Sequence, residues 1–479
     1  MNLKKILQFS VGPIGAAGLS LITLPFIAWF FTVEDVGRLT MLQVVLGLSV
    51  SLFSLAMDQA YVREYHEEED KPALLKLSVL PGLLLLTLIS ALFLILPFSL
   101  SEMLFGIDSR WLTILLFIGV YASYIINFLA HLIRMEERGL VFSATQITPK
   151  AFLLILIGFV VLFNITAEFK ILMIMNTFSI VISLCVFSWL TKDTWLVSIS
   201  RTVDRVLLVK MLKFSLPLVA GGLAYWGLTT MDRFFLRDLA DFDELGVYAL
   251  SVSIAGAVSI VSTVFSNLWH PVLYKWIKIG IDKEKLILII DGMTITIAFI
   301  WSFTGAFSFL ILPFFPPVYA AMEYLLVACV SMPLFYMLSQ TTGVGIGITR
   351  RSAYSMIASV LAFITNAILN YLFIPVYGAS GAALATLIAF FVFFTIRTEA
   401  SVKLWCSLPR LKVYIIVITY IIATIIMVLS KAKIDNYQFI WLALFSLTCC
   451  LFFKRCIGGV TFLRMYLKKK IILLSRDNT

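Results

Sequence analysis

The chain has 479 residues, of which 61% are hydrophobic and 13% are charged, and its mean hydropathy is +1.01. This composition excludes a soluble globular domain, because too few polar side chains remain to cover a surface that faces water. The formal net charge of +10 is compatible with nucleic-acid binding. The basic residues are scattered over many short loops, however, and this pattern favours a role in orienting a membrane protein.

Apolar runs of about 18 to 25 residues recur along the chain, and each is long enough to cross a hydrocarbon core as an α-helix. The runs are continuous in polarity, which predicts an all-α polytopic bundle. In chain order we predict about fourteen spans. They lie near residues 9–31, 37–60, 74–97, 111–133, 145–164, 171–190, 211–231, 246–270, 286–312, 323–345, 354–374, 380–397, 411–430 and 437–453.

The basic residues divide unequally between the two sides of this threading. About 30 fall on the side that carries the N-terminus, Lys150 among them, and about 7 fall on the other side. Because cytoplasmic loops carry the excess of Lys and Arg, we predict that both termini are cytoplasmic. The sparsely charged side has only Arg38, Arg110, Lys170, Arg233, Arg237, Lys431 and Lys433.

An internal repeat recurs at an offset of roughly 205 residues, longer than any small solenoid repeat. The segment KILQFS at 5–10 parallels KMLKFS at 210–215, and EDVG at 34–37 parallels DELG at 243–246. Six predicted spans separate the copies, so both halves cross the membrane in the same direction, as in two-lobed transporters. We predict an N-terminal six-helix lobe at 1–205, a C-terminal six-helix lobe at 206–400, and two additional helices with a basic cytoplasmic tail at 401–479.

The six cysteines form no C-x-x-C pair, and no phosphate-binding G-x-x-x-x-G-K-[ST] loop is present in the sequence. We therefore expect no metal site, no disulfide framework, no cofactor and no direct use of ATP. Coupling to a gradient of H⁺ or Na⁺ stays open.

Several helix junctions resemble those of one transporter superfamily. The segment NAILNYLFIPVYGASGAALAT at 366–386 is similar to the eleventh-to-twelfth helix junction of the polysaccharide exporters in the multidrug/oligosaccharidyl-lipid/polysaccharide superfamily. TVEDVGRL at 32–39, and MDRFFL at 231–236 with LGVYALS at 245–251, resemble the first-to-second and seventh-to-eighth junctions. The resemblance covers roughly residues 5–397 and is strongest to the O-antigen (Wzx-type) flippases.

This resemblance implies a MATE-like fold in the bacterial inner membrane. It also implies a substrate, the undecaprenyl-pyrophosphate-linked sugar repeat unit, which would move outward by alternating access. The expected partners are membrane lipid, the polyprenyl-pyrophosphate-linked glycan and other polysaccharide-assembly membrane proteins, without nucleic acid. Enzymatic activity is not expected.

Polar and ionisable side chains within spans are the candidates for substrate contact, because each is costly in hydrocarbon unless it faces protein or water. Most lie toward the ends of their helices on the N-terminal side, where they would line the mouth of a central cavity. Arginine suits pyrophosphate because its planar fork donates two hydrogen bonds. Interfacial snorkelling and satisfied interior histidines are the alternative interpretation. The candidates are Arg134, His131, Asn127, Arg63, Asp58, His270, Asn267 and Asp291.

Two further groups of polar residues have alternative interpretations. Asp232 and Arg233 lie near the outer end of the seventh span. Their position predicts either an ion pair at the interface or a gate that closes the outer side. Asn366 and Asn370 could bond sugar hydroxyls or bridge helices, and bridging is favoured.

Two other functions remain in competition with the flippase. A cation-coupled multidrug exporter would be expected to bury an acidic residue deep in a lobe, whereas Asp58, Asp232 and Asp291 all lie near span ends. A membrane-embedded polysaccharide polymerase or glycosyltransferase would be expected to carry a sizeable loop outside the membrane, and every predicted outer loop has about 15 residues or fewer.

Overall fold

The computed structural model describes residues 3–96, 98–280, 283–434 and 436–453. Within these ranges the chain forms twenty α-helices, two 3-10 helices (Ser308–Phe314 and Pro317–Tyr319) and no strand. The α-helices are α1 (Leu3–Phe30), α2 (Val33–Phe53), α3 (Met57–Glu64), α4 (Lys71–Ile95), α5 (Leu100–Phe105), α6 (Arg110–Met135), α7 (Gly139–Leu162), α8 (Phe169–Leu190), α9 (Lys192–Ser200), α10 (Arg205–Thr230), α11 (Asp232–Leu239), α12 (Phe242–Ile279), α13 (Lys283–Phe307), α14 (Met322–Cys329), α15 (Ser331–Thr342), α16 (Val344–Ile348), α17 (Ala353–Tyr377), α18 (Ala379–Leu404), α19 (Leu411–Leu429) and α20 (Tyr437–Leu451).

Thirteen helical segments of the described ranges are long and apolar enough to cross a membrane, judged by length and composition. The apolar helix α20 follows them and has 15 residues. The prediction of an all-α, polytopic membrane protein is confirmed. The N-terminal side is the side of the membrane at which α1 begins.

The second predicted span is interrupted in the structure. Thr32 is the N-cap residue of helix α2. Its hydroxyl accepts a hydrogen bond from the amide of Asp35, which satisfies an otherwise unpaired N–H of the first turn. The helix ends at Phe53, and Leu55 and Ala56 then adopt left-handed backbone angles with φ of 50° and 52°. The prediction of one span over 37–60 is wrong at its end, because Asp58 and Arg63 lie on the separate short helix α3.

The two repeats pack against each other through the glycines of the repeated motif. A Cβ atom on Gly37 would lie 2.2 Å from the carbonyl oxygen of Phe242, and one on Gly246 would lie 2.3 Å from that of Val33. Only glycine allows such a close approach of backbones. Helices α2 and α12 therefore cross at equivalent positions, on the side of the membrane opposite the N-terminus, and the lobes are pseudo-symmetric there.

The last two helices pack against the C-terminal lobe. The Ser302 hydroxyl of α13 lies 2.7 Å from the Tyr420 hydroxyl of α19. The indole of Trp441, on α20, fills the space beside Gly305 and is buried. The Tyr437 hydroxyl donates a hydrogen bond of 2.6 Å to Glu323. Helices α19 and α20 thus add to the surface of the C-terminal lobe around α13.

Candidate functional site

A cavity of about 350 Å³ lies between the two lobes. Helices α1, α2 and α7 of the first repeat and α12 of the second line it. Its polar lining residues stand near the middle of their helices, and so near the middle of the membrane. They are Ser20, Thr23, Gln43, Lys150 and Ser253.

Lys150 is the cationic residue of this cavity. Helix α7 begins at Gly139, so a rise of 1.5 Å per residue places Lys150 about 16 Å along it, near the midplane of a hydrocarbon core of about 30 Å. Its ammonium group donates a hydrogen bond to the Ser20 hydroxyl of α1. An ammonium group within the bilayer and exposed to a cavity favours an anionic ligand.

Close packing of α1 on α7 brings Lys150 and Ser20 together. A Cβ atom on Gly12 would lie 2.8 Å from the Cα atom of Ser143, and one on Gly15 would lie 2.8 Å from the Cδ1 atom of Ile147. In the sequence, Lys150 counts among the basic residues of the N-terminal side, because it lies close to the start of the span predicted over 145–164. That placement is wrong, since the polar start of α7 belongs to the helix.

The structure brings two of the eight predicted mouth residues into contact. His131 Nε2 of α6 lies 3.5 Å from Asp58 Oδ2 of α3, and each side chain is about one-fifth exposed. The other ring nitrogen of His131 is buried and has no hydrogen-bond partner among the described residues. On the same helix Asn127 is half-buried and Arg134 is exposed.

Arg63 and Asp291, two further predicted mouth residues, lie in different places. The guanidinium carbon of Arg63 lies 4.3 Å from the ring centroid of Phe214, a residue of α10. Asp291 lines a different cavity of about 1300 Å³, on the N-terminal side between α13 and the last two helices. Asn267 and His270 fall within α12, and their side chains lie outside the part of the chain that the structure describes.

The cavity that contains Asp291 has an ion pair on its wall. Arg410 donates two hydrogen bonds to Glu399, from Nε to Oε1 at 2.5 Å and from Nη2 to Oε2 at 2.9 Å. The hydrogen bond to Glu399 raises the pKa of Arg410, which keeps this pair charged. The pair joins the end of α18 to the start of α19, so a structural role accounts for it.

Asp232 is at the centre of a buried polar network in the C-terminal lobe. Its side chain is 3% exposed, and Arg233 Nη1 lies 3.4 Å from Oδ1, so the predicted ion pair is present. Oδ2 accepts hydrogen bonds from the Tyr248 hydroxyl and, at 3.4 Å, from the Thr386 hydroxyl. Helices α12 and α18 cover the carboxylate, so it is shielded from its surroundings although it lies near the outer end of the seventh span.

The two asparagines of α17 extend this network. Asn366 Nδ2 donates to the Thr386 hydroxyl at 3.2 Å, and Asn370 Nδ2 donates to Asn366 Oδ1 at 2.9 Å. Both asparagine side chains are fully buried. Asn366 therefore bridges α17 and α18, which is the interpretation that the sequence favours, and Asn370 bonds to Asn366 within α17.

The fold has counterparts among solved structures. A structure of the lipid II flippase MurJ in an inward closed conformation is 16% identical, with a TM-score of 0.66, and the match covers 96% of this chain and 100% of that one. Inward-facing and outward-facing structures of a multidrug resistance MATE family transporter of the MOP superfamily are 16% and 17% identical. Their TM-scores are 0.54 and 0.53, and the matches cover 84% of this chain and 96% and 95% of theirs.

These similarities show that the chain shares its fold with these proteins. No curated protein sequence matches the chain. The profile of one family, described as polysaccharide biosynthesis protein, matches residues 2–276, which is more than half of the chain. The chain belongs to the polysaccharide biosynthesis protein family.

Proposed function

We propose that the chain is a flippase for undecaprenyl-pyrophosphate-linked oligosaccharide repeat units, of O-antigen or a related surface polysaccharide. It moves them from the cytoplasmic to the outer leaflet of the bacterial inner membrane by alternating access, and it catalyses no reaction. Membership of a polysaccharide biosynthesis family and the fold shared with a lipid II flippase support this proposal. The excess of basic residues on the N-terminal side supports cytoplasmic termini.

The observation that carries the proposal is Lys150 in the cavity between the lobes. Moving a pyrophosphate from water into hydrocarbon without a polar partner would cost tens of kcal/mol of desolvation free energy. A lysine ammonium and the hydroxyls of Ser20 and Ser253 offer such a group charge and hydrogen bonds halfway across. The lipid tail is apolar and stays in the bilayer.

Two sources of energy suit outward movement of this substrate. With the cytoplasm negative, each anionic charge that leaves it gains about 2.3 kcal/mol per 100 mV. We further propose coupling to a H⁺ or Na⁺ gradient through Asp232, a buried carboxylate of the C-terminal lobe.

The test replaces Lys150 in cells that depend on this gene for surface polysaccharide. Lys150→Met should reduce transport about tenfold or more, because a hydrogen bond to a charged group contributes about 1.5–3 kcal/mol. Lys150→Arg should retain much of the activity. The measurement is the amount of lipid-linked oligosaccharide on each leaflet, at equal protein abundance.

Lys192→Met is the matched control, since it removes an equal charge from an exposed lysine outside the cavity, stacked on Trp189. Accumulation of substrate on the cytoplasmic leaflet in the Lys150→Met strain alone supports the proposal. Normal distribution across the leaflets in that strain would contradict it. Loss of polymer length with normal translocation would instead indicate a polymerase.

A cation-coupled multidrug exporter is the second candidate, and burial of Asp232 favours it more than the sequence does. The sequence argues against an exporter because no acidic residue is deep within a lobe, and Asp232 is in fact buried. Drug sensitivity of the deletion strain distinguishes the two: an exporter predicts increased sensitivity with normal surface polysaccharide.

A further inference from the structure

Helix α3 joins the two lobes on the N-terminal side. The carboxylate of Glu64, at its last residue, is 3% exposed, and Lys210 Nζ of α10 lies 2.6 Å from its Oε2 atom. The same ammonium group lies 3.7 Å from Glu67 Oε2. Glu64 belongs to the first repeat and Lys210 to the second, so this ion pair crosses between the lobes.

Two other residues of α3 make contacts across the same boundary. The guanidinium group of Arg63 stacks on Phe214, and the Ser215 hydroxyl donates to Met57 Sδ at 3.4 Å. These contacts extend along two turns of one short helix. On its other face, Asp58 faces His131 of the first lobe.

The chain before α3 has the features of a hinge. Leu55 and Ala56 both have positive φ, which residues with a side chain rarely adopt. The end of α2 just before them is held firmly, because a Cβ atom on Gly82 of α4 would lie 1.8 Å from the carbonyl oxygen of Phe53. Rotation about the two strained residues would therefore move α3 while leaving α2 in place.

We propose that α3 is the gate on the N-terminal side, pivoting at Leu55 and Ala56 and held shut by the ion pair of Glu64 with Lys210. The proposal rests on the alternating access of the proposed function. In the closed state Glu64 is buried, and a buried carboxylate without its partner is strongly disfavoured. In the open state both groups are hydrated, and the ammonium of Lys210 becomes available to an anionic head group at the entrance.

The gate can be tested without any substrate. Ser253, which lines the central cavity, is changed to cysteine in a chain whose native cysteines are replaced by alanine. A membrane-impermeant thiol reagent is then added to the N-terminal side. Glu64→Gln should increase the labelling rate about fivefold, because it removes the charge that holds Lys210 against the other lobe.

Three further variants complete the design. Lys210→Met should increase labelling to a similar extent, and it carries the test if Glu64→Gln does not fold, because Lys210 is 52% exposed. Glu64→Lys combined with Lys210→Glu should return labelling toward the wild-type rate. Glu69→Gln, at an exposed position in the same segment, is the matched control and should change nothing.

Wild-type labelling rates in both Glu64→Gln and Lys210→Met would overturn the gate. Labelling that responds as expected, when the chain with its native Ser253 moves no lipid-linked oligosaccharide, would support the gate and refute the proposed substrate. Normal flipping by a chain whose labelling rate does not respond to these substitutions would support the proposed substrate and refute the gate.

Discussion

The two ends of the boundary between the lobes are closed by different physical means. Opposite the N-terminus, α2 and α12 cross through Gly37 and Gly246, each of which packs against a backbone carbonyl of the other lobe. On the N-terminal side, closure depends on side chains of the single helix α3, with one ion pair and one stacked arginine.

This difference indicates how each end can open. The glycine crossing depends mainly on close backbone packing. Its charged contacts between the lobes are secondary: Arg38 stacks on Phe242, and Arg237 donates to the Glu102 carbonyl oxygen. The α3 contacts depend on charge, and one partner of each charged contact is half-exposed, so ions and anionic head groups can compete for it. The N-terminal side is thus suited to respond to an anionic substrate, and the opposite side to a change in packing.

The largest expected effect comes from filling the glycine crossing. Gly37→Ala should hold this end open, because the new Cβ atom would meet the Phe242 carbonyl oxygen at 2.2 Å and overpacking costs about 1–3 kcal/mol. Labelling of Ser253→Cys from this side should rise by about tenfold or more, and transport should fall.

Gly18→Ala is the control for this substitution, because a Cβ atom there meets no atom within 4 Å. It should leave labelling unchanged and stabilise α1 slightly, by about 0.5–1 kcal/mol. If Gly37→Ala behaves like Gly18→Ala, the crossing does not close the pathway.

A smaller effect is expected from Arg63→Ala. It removes the stack on Phe214, which is worth about 0.5–1 kcal/mol at an exposed site. Labelling from the N-terminal side should therefore rise about two- to fivefold, with no change from the opposite side. Equal effects on both sides would show that Arg63 acts on the stability of the whole bundle rather than on α3.

The smallest effect is expected from salt. An increase from 0.1 to 1 M shortens the Debye length from about 10 to about 3 Å, which screens Lys210 from Glu64. Labelling from the N-terminal side should rise about twofold, while labelling from the glycine crossing should change less, because backbone packing accounts for most of that contact. Glu64→Gln should weaken the salt response, leaving only the part due to Glu67, which lies 3.7 Å from Lys210. A response of undiminished size in this variant would assign it to other charges.

The sequence predicts the helices well but not their interruptions. Long apolar runs identify the membrane-spanning segments because hydrocarbon imposes both length and composition. The break between α2 and α3 has no Gly or Pro to indicate it, and it depends on the packing of Phe53 against Gly82 of α4. The repeated motif does identify Gly37 and Gly246, although it does not reveal that they pack across the lobes.

The candidate site is predicted less well than the fold. Lys150 is missed because the polar first turns of α7 resemble a loop, and a lysine near a predicted span end is assigned to the interface. Glu64 and Lys210 are separated by 146 residues, and no local pattern relates them. The burial of Asp232 depends on α12 and α18, which lie far along the chain.

The glycine crossing has the geometry of an isologous dimer contact within one polypeptide. Gly37 touches Phe242 and Gly246 touches Val33, and the offset that relates the glycines also relates their partners. In a two-fold dimer, residue i of one subunit meets residue j of the other and j meets i. The duplicated halves thus retain a self-complementary surface. A substitution of either glycine changes the contact at the axis that relates the two halves.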